Sequence, residues 1–305
     1  MKVFDIHTHT YPEAIAERAV ANLGKFYDFV PEGKGTYNDL VSQAEENHVG
    51  GYLLFSVATN AHQVQKVNDS IAALAQRSRD EGFLTVGFAG MHQDFPDFEA
   101  EINRCEAMGL CGVKIHPDIQ EIDIDDPKML PLYEIVEGRM PVYFHIGDDR
   151  PQYRYSEPKK LARILKMFPK LEVVAAHLGG YRAKAEAIEY LAGKPNVNYD
   201  TSSALWYQSP EEASDTIHKL GCENVMFGTD YPVKNPKTEL ELFSRLTLTD
   251  QQREDILWNN AIRFLRLKPL PICLIFSPGR NACGKSCADR TGRSFCTARA
   301  TAGTS

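Results

Sequence analysis

Along the first 267 residues, short apolar runs rich in Val, Ile, Phe and Tyr alternate with longer amphipathic stretches. A continuous apolar run of about four to eight residues suits a strand buried on both faces, while apolar positions at helical spacing suit a covering helix. Eight runs qualify as strands, at about residues 3–8, 50–57, 83–89, 111–116, 141–146, 171–177, 196–202 and 224–229. Several intervening segments open on helix caps. Ser209-Pro210-Glu211-Glu212 combines an N-cap serine, a proline at the first helical position and a glutamate three residues on. Asp126-Pro127 offers the same opening, and Thr249-Asp250-Gln251-Gln252 is a capping box ahead of a last helix that runs to about Leu267. Eight strand–helix units predict an α/β fold: a single-domain (β/α)8 TIM barrel over residues 1–267. An open doubly wound sheet would carry a Gly-rich phosphate loop after its first strand, and here that strand runs into HTHTYP instead.

Composition changes this picture at one place. The 305 residues carry a net charge of −7, with fractions ordinary for a soluble globular protein. Lys268 to Ser305, however, holds six basic residues and one acidic residue, Asp289, so this stretch is at +5 and the preceding 267 residues are at −12. The helical period also stops, at Lys268-Pro269-Leu270-Pro271. Residues 268–305 are therefore expected to form an irregular C-terminal tail, disordered or non-native. Its four cysteines (Cys273, Cys283, Cys287, Cys296) have neither a CxxC pair nor a histidine and do not suit zinc. Cys105, Cys111 and Cys222 make no disulfide framework, which points to a reducing, cytoplasmic setting. No apolar run approaches the roughly 18–20 residues that span a bilayer, and MKVFDIHTHT has no signal-peptide pattern. An acidic body disfavours phosphate backbones. The expected partner is a small-molecule substrate, with no nucleic acid and no membrane; a homo-oligomer is compatible.

All nine histidines lie in the body. In a barrel strand, residues two apart share a face, and side chains at the C-terminal strand ends gather at one mouth. His7 and His9 end the first predicted strand with that spacing, and His116, His145 and His177 end the fourth, fifth and sixth. Asp230 follows the eighth in GTDYP. Five histidines and one aspartate would thus converge from five strands, an N/O donor set suited to Zn²⁺, or to Mn²⁺ or Fe²⁺. His48 and His218 fall at the opposite end and serve the surface or packing, while His62 and His92 lie several residues beyond their strand ends.

The residues Asp5-Ile-His7-Thr-His9, Gly112-Val-Lys-Ile-His116-Pro117, Val142-Tyr-Phe-His145, Ala176-His177-Leu-Gly179-Gly180, Gly228-Thr-Asp230-Tyr-Pro232 and Asn259-Asn-Ala-Ile-Arg263 follow in order. In them the chain resembles the amidohydrolase superfamily, in the branch that includes metal-dependent decarboxylases and lactone hydrolases. The resemblance implies that His7, His9, His145 and Asp230 hold a divalent metal, with His177 beside it. The expected activity is hydrolysis: a metal-activated water attacks an ester, lactone or amide carbonyl of a small carboxylated substrate. Asp230 would take the water proton and His177 would stabilise developing charge. A non-oxidative decarboxylase of a small aromatic or unsaturated acid, using the same metal site, is the second reading. A third, a barrel holding its metal for structure alone, is disfavoured because every ligand position is intact. Lys114, two residues before His116, offers either a carbamylated bridge to a second metal shared with His177 or a buried partner for a carboxylate such as Asp5; one ion is favoured over two. His116, Arg150 and Arg182 are the candidates for binding substrate, the guanidinium forks suiting a carboxylate.

Overall fold

The structure is a computed structural model and describes residues 2–267. The tail expected at 268–305, with its cysteines, lies outside the described residues. Eight strands form: β1 Val3–His9, β2 Val49–Phe55, β3 Leu84–Gly90, β4 Leu110–Ile115, β5 Val142–Phe144, β6 Val173–Ala175, β7 Val197–Asp200 and β8 Val225–Met226. All ladders are parallel and the strands stand in sequence order. The barrel is brought nearly to closure between its first and last strands. Ile6 N donates to Phe227 O at 2.9 Å, His9 N donates to Tyr231 O at 2.7 Å, and Thr8 bridges Tyr231.

Inward side chains of the strands make one buried cluster, including Phe4, Ile6, Leu53, Phe55, Phe88, Tyr143 and Met226. A second, larger cluster lies between strands and helices, as both faces of a parallel sheet require. Gly112 shows how tightly the interior is filled: a Cβ there would stand 2.4 Å from the Phe88 ring.

Two helices, α1 (Glu13–Tyr27) and α2 (Tyr37–Glu46), occupy the connection from β1 to β2. Then α3 (Val64–Asp80) follows β2, and α4 (Phe98–Ala107) follows β3. The short α5 (Pro117–Gln120) and α6 (Leu130–Val136) follow β4. After β5 to β8 come α7 (Pro158–Met167), α8 (Lys184–Leu191), α9 (Pro210–Leu220) and α10 (Pro236–Ser244). The last helical run passes from α11 (Asp250–Glu254) through a π-helical turn into α12 (Asn260–Phe264). Both expected capping boxes form, at Ser209 with Glu212 and at Thr249 with Gln252.

Asp126-Pro127 does not open a helix. Asp126 accepts from Lys128 N at 2.8 Å and from Met129 N at 2.9 Å, closing a turn, and α6 begins only at Leu130. At the end of α1 the chain reverses sharply. Asp28 takes a left-handed φ of 57° and its N–H donates to Gly24 O. A Cβ on Gly24 would lie 2.7 Å from Phe29 O, so glycine permits the close approach there.

Strands β5 to β8 are shorter than the apolar runs suggest. His145 N still donates to Ile115 O at 3.1 Å, but at His177 the backbone turns left-handed and leaves the ladder. The residues each run loses at its C-terminal end, among them His145 and His177, lie at the mouth. Cys105, Cys111 and Cys222 are free thiols. Among the described residues no helix is long and apolar enough to cross a membrane.

Candidate active site

At the end of β1, His7 Nε2 and His9 Nε2 stand 3.2 Å apart, and Asp230 Oδ1 lies 3.1 Å from the first and 3.4 Å from the second. His7 Nδ1 donates to Asp200 Oδ2 at 2.9 Å, which leaves Nε2 as the lone pair turned towards Asp230. Burial and the Lys114 ammonium push the His7 pKa down, but the carboxylates of Asp230 and Asp200 outweigh them and hold it above its ordinary value. The spot beside His7 Nε2 thus draws positive charge. His9 is driven by burial to a pKa of about 4 and stays neutral. Asp230 stays ionised, its pKa well below the usual range because His7 and His9 outweigh the cost of burial. Two imidazole nitrogens and an ionised carboxylate oxygen, converging with a buried carboxylate behind one imidazole, fit a divalent metal ion.

Asp200, at the end of β7, organises this floor. Its Oδ1 accepts from His177 N at 3.1 Å, Ser202 N at 2.9 Å and Ser202 Oγ at 2.5 Å, and its Oδ2 accepts from Tyr143 Oη as well as His7. His177, Leu178 and Asp230 all take left-handed backbone conformations, with φ of 62°, 52° and 59°. Non-glycine residues hold such angles only where their surroundings impose them. Here Asp200 ties down the first turn and the Ser203 hydroxyl, 2.8 Å from Asp230 Oδ2, ties the second.

The other histidines form a chain whose donors and acceptors are fixed at both ends. A backbone carbonyl only accepts, so His177 Nδ1 donates to Ser202 O at 2.9 Å and its Nε2 accepts from His145 Nδ1 at 2.9 Å. A backbone N–H only donates, so Ile119 N donates to His116 Nδ1 at 3.3 Å and His116 Nε2 donates to Tyr27 Oη at 2.8 Å. The Tyr27 hydroxyl then donates to His145 Nε2 at 3.3 Å. Burial holds His116 and His145 well below the ordinary imidazole pKa and lowers His177, in keeping with three neutral rings. His116 and His145 stack at 4.0 Å between ring centroids. Asp118, raised to about 7 by burial, lies 3.7 Å from His145 Nε2. His145 therefore meets His177, Tyr27 and Asp118 in this structure, while the group at the end of β1 is His7, His9 and Asp230.

Lys114 is fully buried and does not pair with Asp5, correcting that expectation. Asp5 is occupied by His7 N, Thr229 N and the Thr229 hydroxyl. The Lys114 ammonium instead lies 3.4 Å from His7 Nε2 and 4.6 Å from the centroids of both Phe55 and Tyr143. Burial lowers its pKa to about 8, against the pull of Asp230 and Asp200.

Above the floor is a cavity of about 670 Å³, lined by His7, His9, Lys114, His116, His145 and Asp230 and roofed by α1 and α3. Neither Arg150 nor Arg182 lines it. The Arg150 fork is engaged by Asp148, and Arg182 is exposed, with Asp149 3.9 Å away. The cations that do line it besides Lys114 are Arg18 on α1 and Lys66 on α3. His92 is buried but accepts from Asp94 N, and His48, His62 and His218 are exposed.

Reading strand ends as the mouth missed Asp200, Tyr27, Arg18 and Lys66. Asp200 did leave a signal: a carboxylate within the seventh predicted strand, where an unpaired charge would not survive burial. Tyr27, Arg18 and Lys66 sit on helices, and nothing local shows that those helices lean over the mouth.

The amidohydrolase family profile matches residues 4–267, nearly the whole described chain. The chain belongs to the amidohydrolase family. The chain is similar to 2-amino-3-carboxymuconate-6-semialdehyde decarboxylase of Caenorhabditis elegans, 25% identical over 54% of this chain and 57% of that one. The match thus spans little more than half the length of the nematode protein. A gamma-resorcylate decarboxylase from Polaromonas sp. strain JS666 is 21% identical over 69% of this chain and 82% of the relative. Among solved structures, a dihydroxybenzoic acid decarboxylase from Polaromonas sp. JS666, with bound manganese and the inhibitor 2-nitroresorcinol, superposes with a TM-score of 0.63. That pair is 15% identical and covers 87% of this chain and 97% of the other, a likeness of fold. These relatives correct the expectation of hydrolysis. They are decarboxylases, and a barrel with ligands at its strand ends does not by itself say which bond is broken.

Proposed function

We propose that this protein is a metal-dependent, non-oxidative decarboxylase of a small carboxylic acid, aromatic or unsaturated. The observation that carries this reading is the cavity. Its floor is the His7–His9–Asp230 group, its walls bear Arg18, Lys66 and Lys114, and among the described residues Asp230 is the only carboxylate lining it. Such a lining favours an anion although the whole chain is at −7. The decarboxylase relatives support the same reading.

In this proposal His7, His9 and Asp230 hold one divalent ion. His145 remains the fourth candidate, since donating Nδ1 to His177 leaves Nε2 a lone pair for the ion or, as here, for the Tyr27 hydroxyl. Two imidazoles and a carboxylate suit Zn²⁺ and admit Mn²⁺. The bound ion supplies Lewis-acid polarisation of a substrate oxygen and a fixed counter-charge for the acid. One ion is favoured over two because the Lys114 amine, 3.4 Å from His7 Nε2, adds positive charge beside the first ion and opposes a second there.

Decarboxylation breaks a C–C bond, leaves its electron pair on carbon, releases CO₂ and requires a proton at that carbon. Asp230, held ionised, takes a proton from a substrate hydroxyl or water and returns it to that carbon. His177 keeps the neighbouring ring in its tautomer by accepting from His145 Nδ1. Arg18 and Lys66 draw the acid into the cavity.

The test is CO₂ release by the metal-loaded protein from a panel of aromatic and unsaturated carboxylic acids, beside esters and lactones. CO₂ formed one-for-one with substrate loss, and abolished in Asp230→Asn and His7→Ala, is the expected result. Ester or lactone cleavage without any CO₂ would overturn the reading. Elemental analysis finding two metal equivalents per chain would replace the one-ion assignment.

A further inference from the structure

Arg150 is a cation of the mouth that does not face the cavity, and its contacts give it another task. Its Nε and Nη2 fork the buried carboxylate of Asp148 at 2.9 and 2.7 Å, and its own backbone N–H donates to Asp148 Oδ1 at 2.9 Å. The remaining arm, Nη1, donates to Phe26 O in the last turn of α1. The final carbonyls of a helix lack partners within it and carry the negative end of its dipole, so a guanidinium there satisfies both. The guanidinium also lies over the rings of Tyr153, Phe26 and Tyr27, at 4.2, 4.8 and 5.2 Å from their centroids.

Helix α1 is not a barrel strand, so no ladder fixes its distance from the floor. Yet its last residue, Tyr27, places its hydroxyl 2.8 Å from His116 Nε2 and 3.3 Å from His145 Nε2. Where that hydroxyl sits depends on where the last turn of α1 sits.

We infer that Arg150, braced by Asp148, is a positioning residue that clamps the last turn of α1 to the loop after β5. It thereby sets the Tyr27 hydroxyl against His116 and His145 as a fixed wall of the cavity. The inference goes beyond the decarboxylase reading and leans on it only for the turnover measurements.

Hydrogen exchange followed by mass spectrometry on the full, metal-loaded chain tests the clamp without turnover. In Arg150→Met, amides in residues 22–29 exchange roughly tenfold faster or more, the scale of losing a charge-assisted hydrogen bond. Peptides from β1 and β5 keep wild-type rates. Asp148→Asn moves α1 in the same direction, and Arg150→Lys, which keeps the charge but loses the fork, restores part of the protection. Should Arg150→Met fail to fold, Asp148→Asn and Arg150→Lys carry this arm. Wild-type exchange in residues 22–29 of the folded clamp variants would overturn the inference.

Turnover adds a second arm on an acid that the wild type decarboxylates. Arg150→Met lowers kcat by about 10- to 100-fold, the scale of a misplaced active-site wall, with a smaller change in KM. Because Arg150 acts through Tyr27, the Arg150→Met/Tyr27→Phe double variant is no slower than Tyr27→Phe alone. Losses that multiply would overturn that route. If the wild type releases CO₂ from no acid, the decarboxylase reading fails and the exchange arm still decides the clamp.

Discussion

Two buried carboxyl groups show how differently this interior treats the same chemistry. Asp200 accepts from His7, His177, Ser202 and Tyr143, and the contributions of His7, His177 and Ser202 outweigh burial and keep its pKa below the ordinary range. It orients His7 so that Nε2 faces Asp230. Asp200→Asn keeps the shape but weakens that orientation, so metal affinity measured by chelator competition should fall about 10- to 100-fold. Unchanged affinity would show that Asp200 only braces the fold. Glu239 on α10 is the opposite case: it is fully buried, and neither carboxyl oxygen has a hydrogen-bond partner among the described residues. Burial raises its pKa well above 4.5, so the folded state binds its proton more tightly than the unfolded state does. Its contribution to stability is therefore fully present below about pH 4.5 and is lost as pH rises towards the raised value. Glu239→Gln removes that slope. Thermal unfolding from pH 4 to 9 should show the variant gaining on wild type as pH rises, and parallel curves would refute the argument.

At the scale of the element, what the sequence made legible depended on whether the deciding forces were local. The Ser209 and Thr249 boxes form because the partners of each orphan N–H lie within four residues. Ser209→Ala should accordingly destabilise the protein by about 1 kcal/mol, read as a lower urea midpoint at unchanged slope. No change in midpoint would mean that packing alone fixes the start of α9. The β5 to β8 runs were placed correctly, but their ends were not. An apolar run continues through Ala175, Ala176 and His177, whereas the ladder stops where Asp200 draws the His177 amide out of it. That pull comes from a residue on the next strand and has no trace in the run itself. Asp126-Pro127 failed for a related reason, since Asp126 closes a turn as readily as it caps a helix. Tyr27 is the extreme case. Its role is set by an αL turn at Asp28 and by Arg150, 123 residues further on, neither of which alters the apolar period of α1.

Taken whole, the molecule sets a long-range field against a short-range one. Residues 1–267 carry −12, which repels the anionic substrate proposed for it. The cavity reverses that sign locally: Arg18 and Lys66 stand on α1 and α3 at its lining, and Lys114 lies at its floor. Charges on the far surface are screened within about 8–10 Å at physiological salt, whereas groups bordering a cavity of about 670 Å³ remain within reach of a bound acid. The near field therefore decides binding. Arg18 and Lys66 are exposed, so each should contribute about 0.2–1 kcal/mol of attraction, the range for solvent-accessible ion pairs. Removing both in Arg18→Ala/Lys66→Ala should raise KM for a carboxylated substrate by about 2- to 30-fold. Neither touches the His7–His9–Asp230 group, so kcat and metal content should hold at wild-type levels. A fall in kcat at unchanged KM would place these two cations in the chemistry rather than in capture. The same KM in variant and wild type would leave Lys114 and the metal to hold the acid alone.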